Sequence, residues 1–95
     1  MILQLTNAIE SQLIIEFHYD GEIRIVEPHC HGISAKGNHV LRAFQVDGYS
    51  STGKFGWKLY DMSKVPNITV SETIFEIRAD YTKGDKGMVS IHHEL

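Results

Sequence analysis

Cysteine is nearly missing from this chain of 95 residues: Cys30 is the only one. A lone thiol excludes an intrachain disulfide and any zinc site needing two cysteines of one chain, and it fits a reducing, cytoplasmic setting. Basic charge is also short, with 9 Lys plus Arg against 12 Asp plus Glu, a net charge of −3 and a pI near 6.0. The broad positive field that dominates duplex nucleic-acid binding is therefore excluded, and any anion site must be local. Long apolar runs are absent as well. None exceeds three residues, as at Leu13-Ile14-Ile15, far below the roughly 20 residues of a membrane-spanning helix. Residues 1–11 have no basic segment leading into an apolar stretch, so the expectation is a soluble, unprocessed protein with no membrane partner. The length allows one domain, residues 1–95, and excludes a multidomain enzyme. A core this thin leaves about 40% of the unfolded surface exposed, which makes homo-oligomerisation an expected way to enlarge it.

What is present is alternation. Ile2, Leu5, Ala8 and Ile9 share one face of a short helix over residues 1–11, which must dock on something larger to persist. From Leu13 the period becomes two, with Leu13, Ile15, Phe17 and Tyr19 on one side, and it resumes at Glu22–Val26 after Asp20-Gly21. A two-residue Asp-Gly link between alternating runs predicts a tight hairpin, because both turn positions take positive φ. Pro28 is expected to end the second strand, since it has no N–H for a ladder. Further strands are predicted over Val40–Val46, interior because both its faces are apolar, and over Phe55–Tyr60, Asn67–Val70, Thr73–Ile77 and Met88–His92. One N-terminal helix followed by about six short antiparallel strands over residues 12–95 predicts a mainly β fold, a small barrel or strongly curled sheet.

The chemical constellations are sparse. Gly48–Lys54 has the spacing of a phosphate-binding P-loop, but Phe55 replaces the hydroxyl residue and a strand pattern follows where a helix is needed. A flexible loop is the better reading. By alternation His29 and His31 fall on one side of an extended segment, with His18, His39, His92 and His93 elsewhere, yet no carboxylate or thiolate completes a ligand set. No metal or other cofactor is expected, and His29 reads as a neutral imidazole in a ligand pocket. No nucleophile has an orienting pair of partners, so catalysis is not expected. The remaining candidates are basic and aromatic residues on strands: Tyr19, Arg24, Arg42, Trp57, Lys58 and Lys64. Charge inside an apolar strand is costly unless paired or set in a groove. Either Glu16, Glu22 and Glu27 pair with the two arginines, or the basic and aromatic residues line a surface for phosphate and base.

The order of features resembles the WYL domain, an Sm-like or SH3-like β-barrel of bacterial transcription regulators and proteins tied to phage defence. The resemblance is carried by Ala8-Ile9, Phe17-His18-Tyr19, Asp20-Gly21, Arg24-Ile25-Val26-Glu27-Pro28, Gly37–Phe44, Lys58-Leu59-Tyr60 and Lys64-Val65. The position of the name-giving Trp-Tyr-Leu holds His39-Val40-Leu41, and lysines stand at Lys58 and Lys64 where the family pattern has arginine. The winged-helix DNA reader usually found ahead of the domain is not expected in the dozen residues before the first strand. The resemblance implies a non-enzymatic ligand-binding or regulatory module. Its partner would be a nucleotide or short single-stranded nucleic acid, held by Arg24, Arg42, Lys58 and Lys64 with Tyr19 and Trp57 available for stacking. The alternative is an interaction or homo-oligomeric module whose partner is a regulatory or defence protein.

Overall fold

A computed structural model describes residues 1–95. Helix α1 covers Ile2–Glu10, and the strands are β1 Leu13–Tyr19, β2 Glu22–Ile33, β3 His39–Gly48, β4 Gly56–Asp61, β5 Thr69–Ile74 and β6 Ser90–Glu94, with a 3-10 turn at Met62–Lys64. The sheet is antiparallel and runs β4-β3-β2-β1-β5, while β6 pairs with the far end of β2. The terminal strands β4 and β5 do not pair with each other, so the sheet is curled but not closed. No helix is long and apolar enough to cross a membrane.

The β1–β2 hairpin forms where Asp-Gly predicts it, with Asp20 at φ 52° and Gly21 at φ 81°, and Tyr19 facing Glu22 across the turn. Leu5, Ala8 and Ile9 of α1 are buried against Ile15, Phe17, Val26, Leu41 and Ala43, which makes this the inner face of the sheet. Ile2 does not join them and is 51% exposed. It is the first residue of the helix. Residues 67–77 form one strand rather than two, because only Thr69–Ile74 meets β1, across a bulge.

Pro28 does not end β2. The strand continues to Ile33, and Pro28 sits where the ladder is already broken. The register with β3 shifts between Pro28 and Cys30, and β1 pairs with β2 up to Val26 whereas β6 begins at Cys30. A bulge is the position inside a sheet at which a missing donor is tolerated. The extra residue reverses the alternation. Pro28 opposes Ala43 of the inner face and His31 opposes Leu41 of the same face, so the extra residue His29, like Cys30 after it, is turned outward. It packs on Trp57, Phe75 and Tyr81. The expectation that His29 and His31 share a side therefore fails.

The outer face carries Cys30, Val40, Arg42, Phe44 and Trp57 and is roofed by residues 75–89, which have no helix or strand of their own. Residues 49–55 form a loop closed by the Ser50 hydroxyl donating to the Lys54 carbonyl at 2.6 Å, and β4 follows it directly.

Candidate functional site

Arg24 stands opposite Phe17 on β1 and Gly48 at the end of β3, and it is only 7% exposed. Gly48 adopts φ 86°, which turns the chain back so that the Tyr49 N–H donates to the Ile23 carbonyl at 2.8 Å. Buried Gln45 fixes this return by donating to the carbonyls of Asp47 at 3.0 Å and Tyr49 at 2.7 Å. Tyr49 is thereby brought over Arg24. The guanidinium carbon lies 5.3 Å from the Tyr49 ring centroid and 5.4 Å from that of Tyr19, within cation–π range of both. Its Nη2 donates to the Tyr19 carbonyl at 3.2 Å, but Nε is buried with no partner and no carboxylate pairs with the group. Lys64 adds a second cation 5.5 Å from the Tyr19 ring, loosely facing Asp20 at 3.9 Å on the exposed surface. Tyr19 is itself held, its hydroxyl accepting from the Asp61 N–H at 3.1 Å and its ring lying edge-to-face on Tyr60. Burial pushes the Tyr60 hydroxyl up to about 12, so it stays a neutral donor toward Gln45.

Arg42 and Trp57 form a separate group on the outer face. Arg42 makes a two-pronged pair with Asp85, Nε at 2.6 Å and Nη2 at 3.1 Å, and the guanidinium holds the Asp85 carboxyl below the usual carboxylate range. The Trp57 indole donates to Asp80 at 3.0 Å. Between them opens a cavity of about 360 Å³ lined by Arg42, Trp57, Asp80, Tyr81, Thr82 and Asp85, among others. His29 lies beneath. Its Nε2 accepts from the Arg78 N–H at 3.3 Å, which assigns the proton to Nδ1, and Nδ1 donates to the Glu27 carbonyl at 2.9 Å. Burial lowers its pKa, so the ring is neutral, and with both nitrogens used it supports the fold rather than facing a ligand.

Thus Tyr19, Arg24 and Lys64 come together, Arg42, Trp57 and His29 come together on the other face, and Lys58 joins neither. Lys58 opposes Ala43 and is directed to the inner side of β4, half-exposed. The proposed pairing of Arg24 and Arg42 with Glu16, Glu22 and Glu27 does not occur. Glu27 instead holds Arg78 at 2.7 Å and 3.2 Å, with that guanidinium 3.8 Å from the Phe44 centroid. Both strand-to-roof ion pairs join residues more than 40 positions apart, a separation that leaves no periodic trace in the sequence.

Of the six histidines named from the sequence, the structure gathers His31, His39 and His92 at the end of the inner face, a meeting that alternation did not predict. His31 is fully buried, with Nε2 at 2.9 Å from the Thr6 hydroxyl of α1 and Nδ1 at 2.8 Å from His39 Nε2, and it stacks on His92. No group of three or more His, Cys, Asp or Glu side chains is arranged to hold a metal ion. Tyr49, which sequence reasoning missed, is recognisable only once the Gly48 turn is known. No protein-family model matches the chain, and it shows no significant similarity to a curated protein or to a solved structure.

Proposed function

We propose that the protein is a non-enzymatic, WYL-like ligand-binding module, its curled sheet an open form of the small Sm-like or SH3-like barrel. Its ligand is a nucleotide or short single-stranded nucleic acid bound at Tyr19, Arg24, Tyr49 and Lys64. The observation that carries this reading is Arg24, a guanidinium almost wholly buried with an orphaned Nε and no counter-ion. Such a group is expensive to keep in a folded core unless an anion joins it for part of its working life. A phosphate is the anion that matches the guanidinium fork. The Tyr49 ring, 46% exposed beside it, offers a face on which a base can stack. The net charge of −3 agrees with a confined site rather than a duplex-binding surface.

Fluorescence anisotropy with a labelled oligothymidylate, and calorimetry with nucleoside diphosphates and cyclic dinucleotides, test this at low salt. Binding is expected to weaken as salt rises, and Arg24→Met is expected to reduce it by at least about tenfold, the loss of one charge-assisted bidentate contact. Arg24→Lys, which keeps charge without the fork, should fall between. No binding by any of these ligands at low salt overturns the reading.

A second reading is a protein-interaction or homo-oligomeric module. It rests on the free outer edge of β5, where Ile74 is 73% exposed and no strand pairs on the side away from β1. Light scattering decides this: a concentration-dependent mass that Ile74→Lys abolishes supports it, and a strict monomer removes the oligomer.

A further inference from the structure

The roof over the outer face is tied down unevenly. At its start the Phe75 N–H donates to the Gln12 carbonyl at 2.8 Å, and at its end the Val89 N–H donates to the Ile33 carbonyl at 2.8 Å. Between these, residues 79–88 make no main-chain to main-chain hydrogen bond with the sheet, only bonds within the segment such as Tyr81 to Arg78 and Met88 to Asp85. The middle of the roof is therefore held through side chains: Glu94 of β6 accepts from the Gly84 N–H at 3.0 Å, Cys30 meets Met88 at 3.5 Å, and two carboxylates of the roof itself reach down to the sheet. Asp85 takes both prongs of Arg42 and Asp80 takes the indole N–H of Trp57. The cavity of about 360 Å³ lies between these two contacts, with Lys86 at its margin. An irregular stretch of this length in a small domain is commonly a lid or binding loop. Lifting it would break no ladder.

We infer that Arg42 and Trp57 form a second anion site, kept closed by the chain's own Asp85 and Asp80, and that a phosphate-bearing ligand opens it by displacing them. The chemistry is an exchange of like for like. Two phosphate oxygens replace the two Asp85 oxygens on the guanidinium, a third acceptor replaces Asp80 on the indole, and both carboxylates pass to water. Arg42 keeps a counter-ion throughout, which distinguishes it from Arg24 and makes the opening reversible. The class of ligand rests on the reading of the Arg24 site, to which this adds a second phosphate contact and a means of reporting occupancy through the position of the roof.

The test uses inorganic pyrophosphate and a short oligothymidylate with the full chain. Asp85→Asn removes the competing charge and is expected to tighten binding at least about tenfold, since affinity scales with the fraction of molecules whose site is open. Arg42→Met is expected to cancel that gain. In the unaltered protein, ligand is expected to accelerate tryptic cleavage after Lys83 and Lys86, which lie on the roof. This measurement does not depend on any variant folding. Unchanged cleavage in the presence of bound ligand, or an Asp85→Asn protein that binds no tighter, overturns the inference. If Arg24→Met still abolishes binding in that case, the proposed function stands without it. If Asp85→Asn tightens binding while Arg24→Met does nothing, the Arg42 site stands and the Arg24 site falls.

Discussion

Acidification from pH 7 to pH 5 is expected to lower the unfolding free energy by about 2 kcal/mol, through a histidine that the fold keeps uncharged. Burial, and then repulsion from His39, His92 and His93, brings the pKa of His31 down from 6.5 to about 4. The unfolded chain takes up this proton near pH 6.5 and the folded chain does not until near pH 4. Between those values the unfolded state binds more protons, so stability is complete above the upper value and falls as pH drops, by up to about 1.4 kcal/mol per unit. His29 and His39, lowered by burial, act in the same direction. The groups facing the cluster are Thr6 and Glu10 of α1, His39 of β3, His92 and His93 of β6, and the chain's amino group. Only Glu10, 3.8 Å from His93, could offset added charge, and it is exposed. Urea titrations at the two pH values read the effect. His31→Gln should be less stable at pH 7 and should lose much less on acidification. A wild-type stability that is flat between pH 7 and pH 5 would refute this account. Since His31 touches α1 through Thr6, the helix is expected to loosen first, visible as faster amide exchange in Ile2–Glu10.

Gly32→Ala is expected to cost about 3 kcal/mol, at the upper end of what overpacking does, because the obstacle is backbone. A Cβ at this position would overlap the Ser90 carbonyl oxygen and come within 2.9 Å of Ile91 Cα and 3.1 Å of Met88 Sδ. Neither main-chain neighbour can rotate away, so β6 must leave β2. Gly37→Ala is the control. It has φ +84° but open space around it, so only the left-handed backbone penalty of about 1 kcal/mol applies. Chemical denaturation compares the two, and hydrogen exchange locates the damage: Ser90–Glu94 should lose protection in Gly32→Ala and keep it in Gly37→Ala. Equal losses in the two variants would refute a close β2–β6 approach at Gly32. Because residues 88 and 89 lead into β6, the Gly32 variant should also be cut faster by trypsin after Lys86.

Much of the fold could be read from local pattern. The hairpin at Asp20-Gly21 follows from two residues that accept positive φ between alternating runs, and the buried members of β1 and β3 follow from a side-chain period of two. The candidate site was readable only in part. Tyr19, Arg24 and Lys64 were singled out as basic and aromatic residues, but their meeting depends on Gly48 returning Tyr49 to Ile23. That Arg24 lacks a carboxylate could not be known while Glu16 and Glu22 stood a few positions away.

By itself the sequence determined the mainly β class, the hairpin at Asp20-Gly21, the burial of Leu5, Ala8 and Ile9 on α1, and that a net charge of −3 confines any anion site to a small patch. These are properties of neighbouring residues, decided by dihedral preference, periodicity and composition. The tertiary structure alone decided which arginine is paired and which is orphaned. The partners of Arg42 and Glu27 arrive from the roof more than 40 residues along the chain, where no period links them. It also decided that one extra residue after Pro28 separates His29 from His31, sending one imidazole into an aromatic stack and the other against α1. Pro28 marks a place where the ladder can break, but whether the strand ends there or continues through a bulge depends on β3 and β6 pairing with Cys30–Ile33, and those partners arrive only when the sheet assembles.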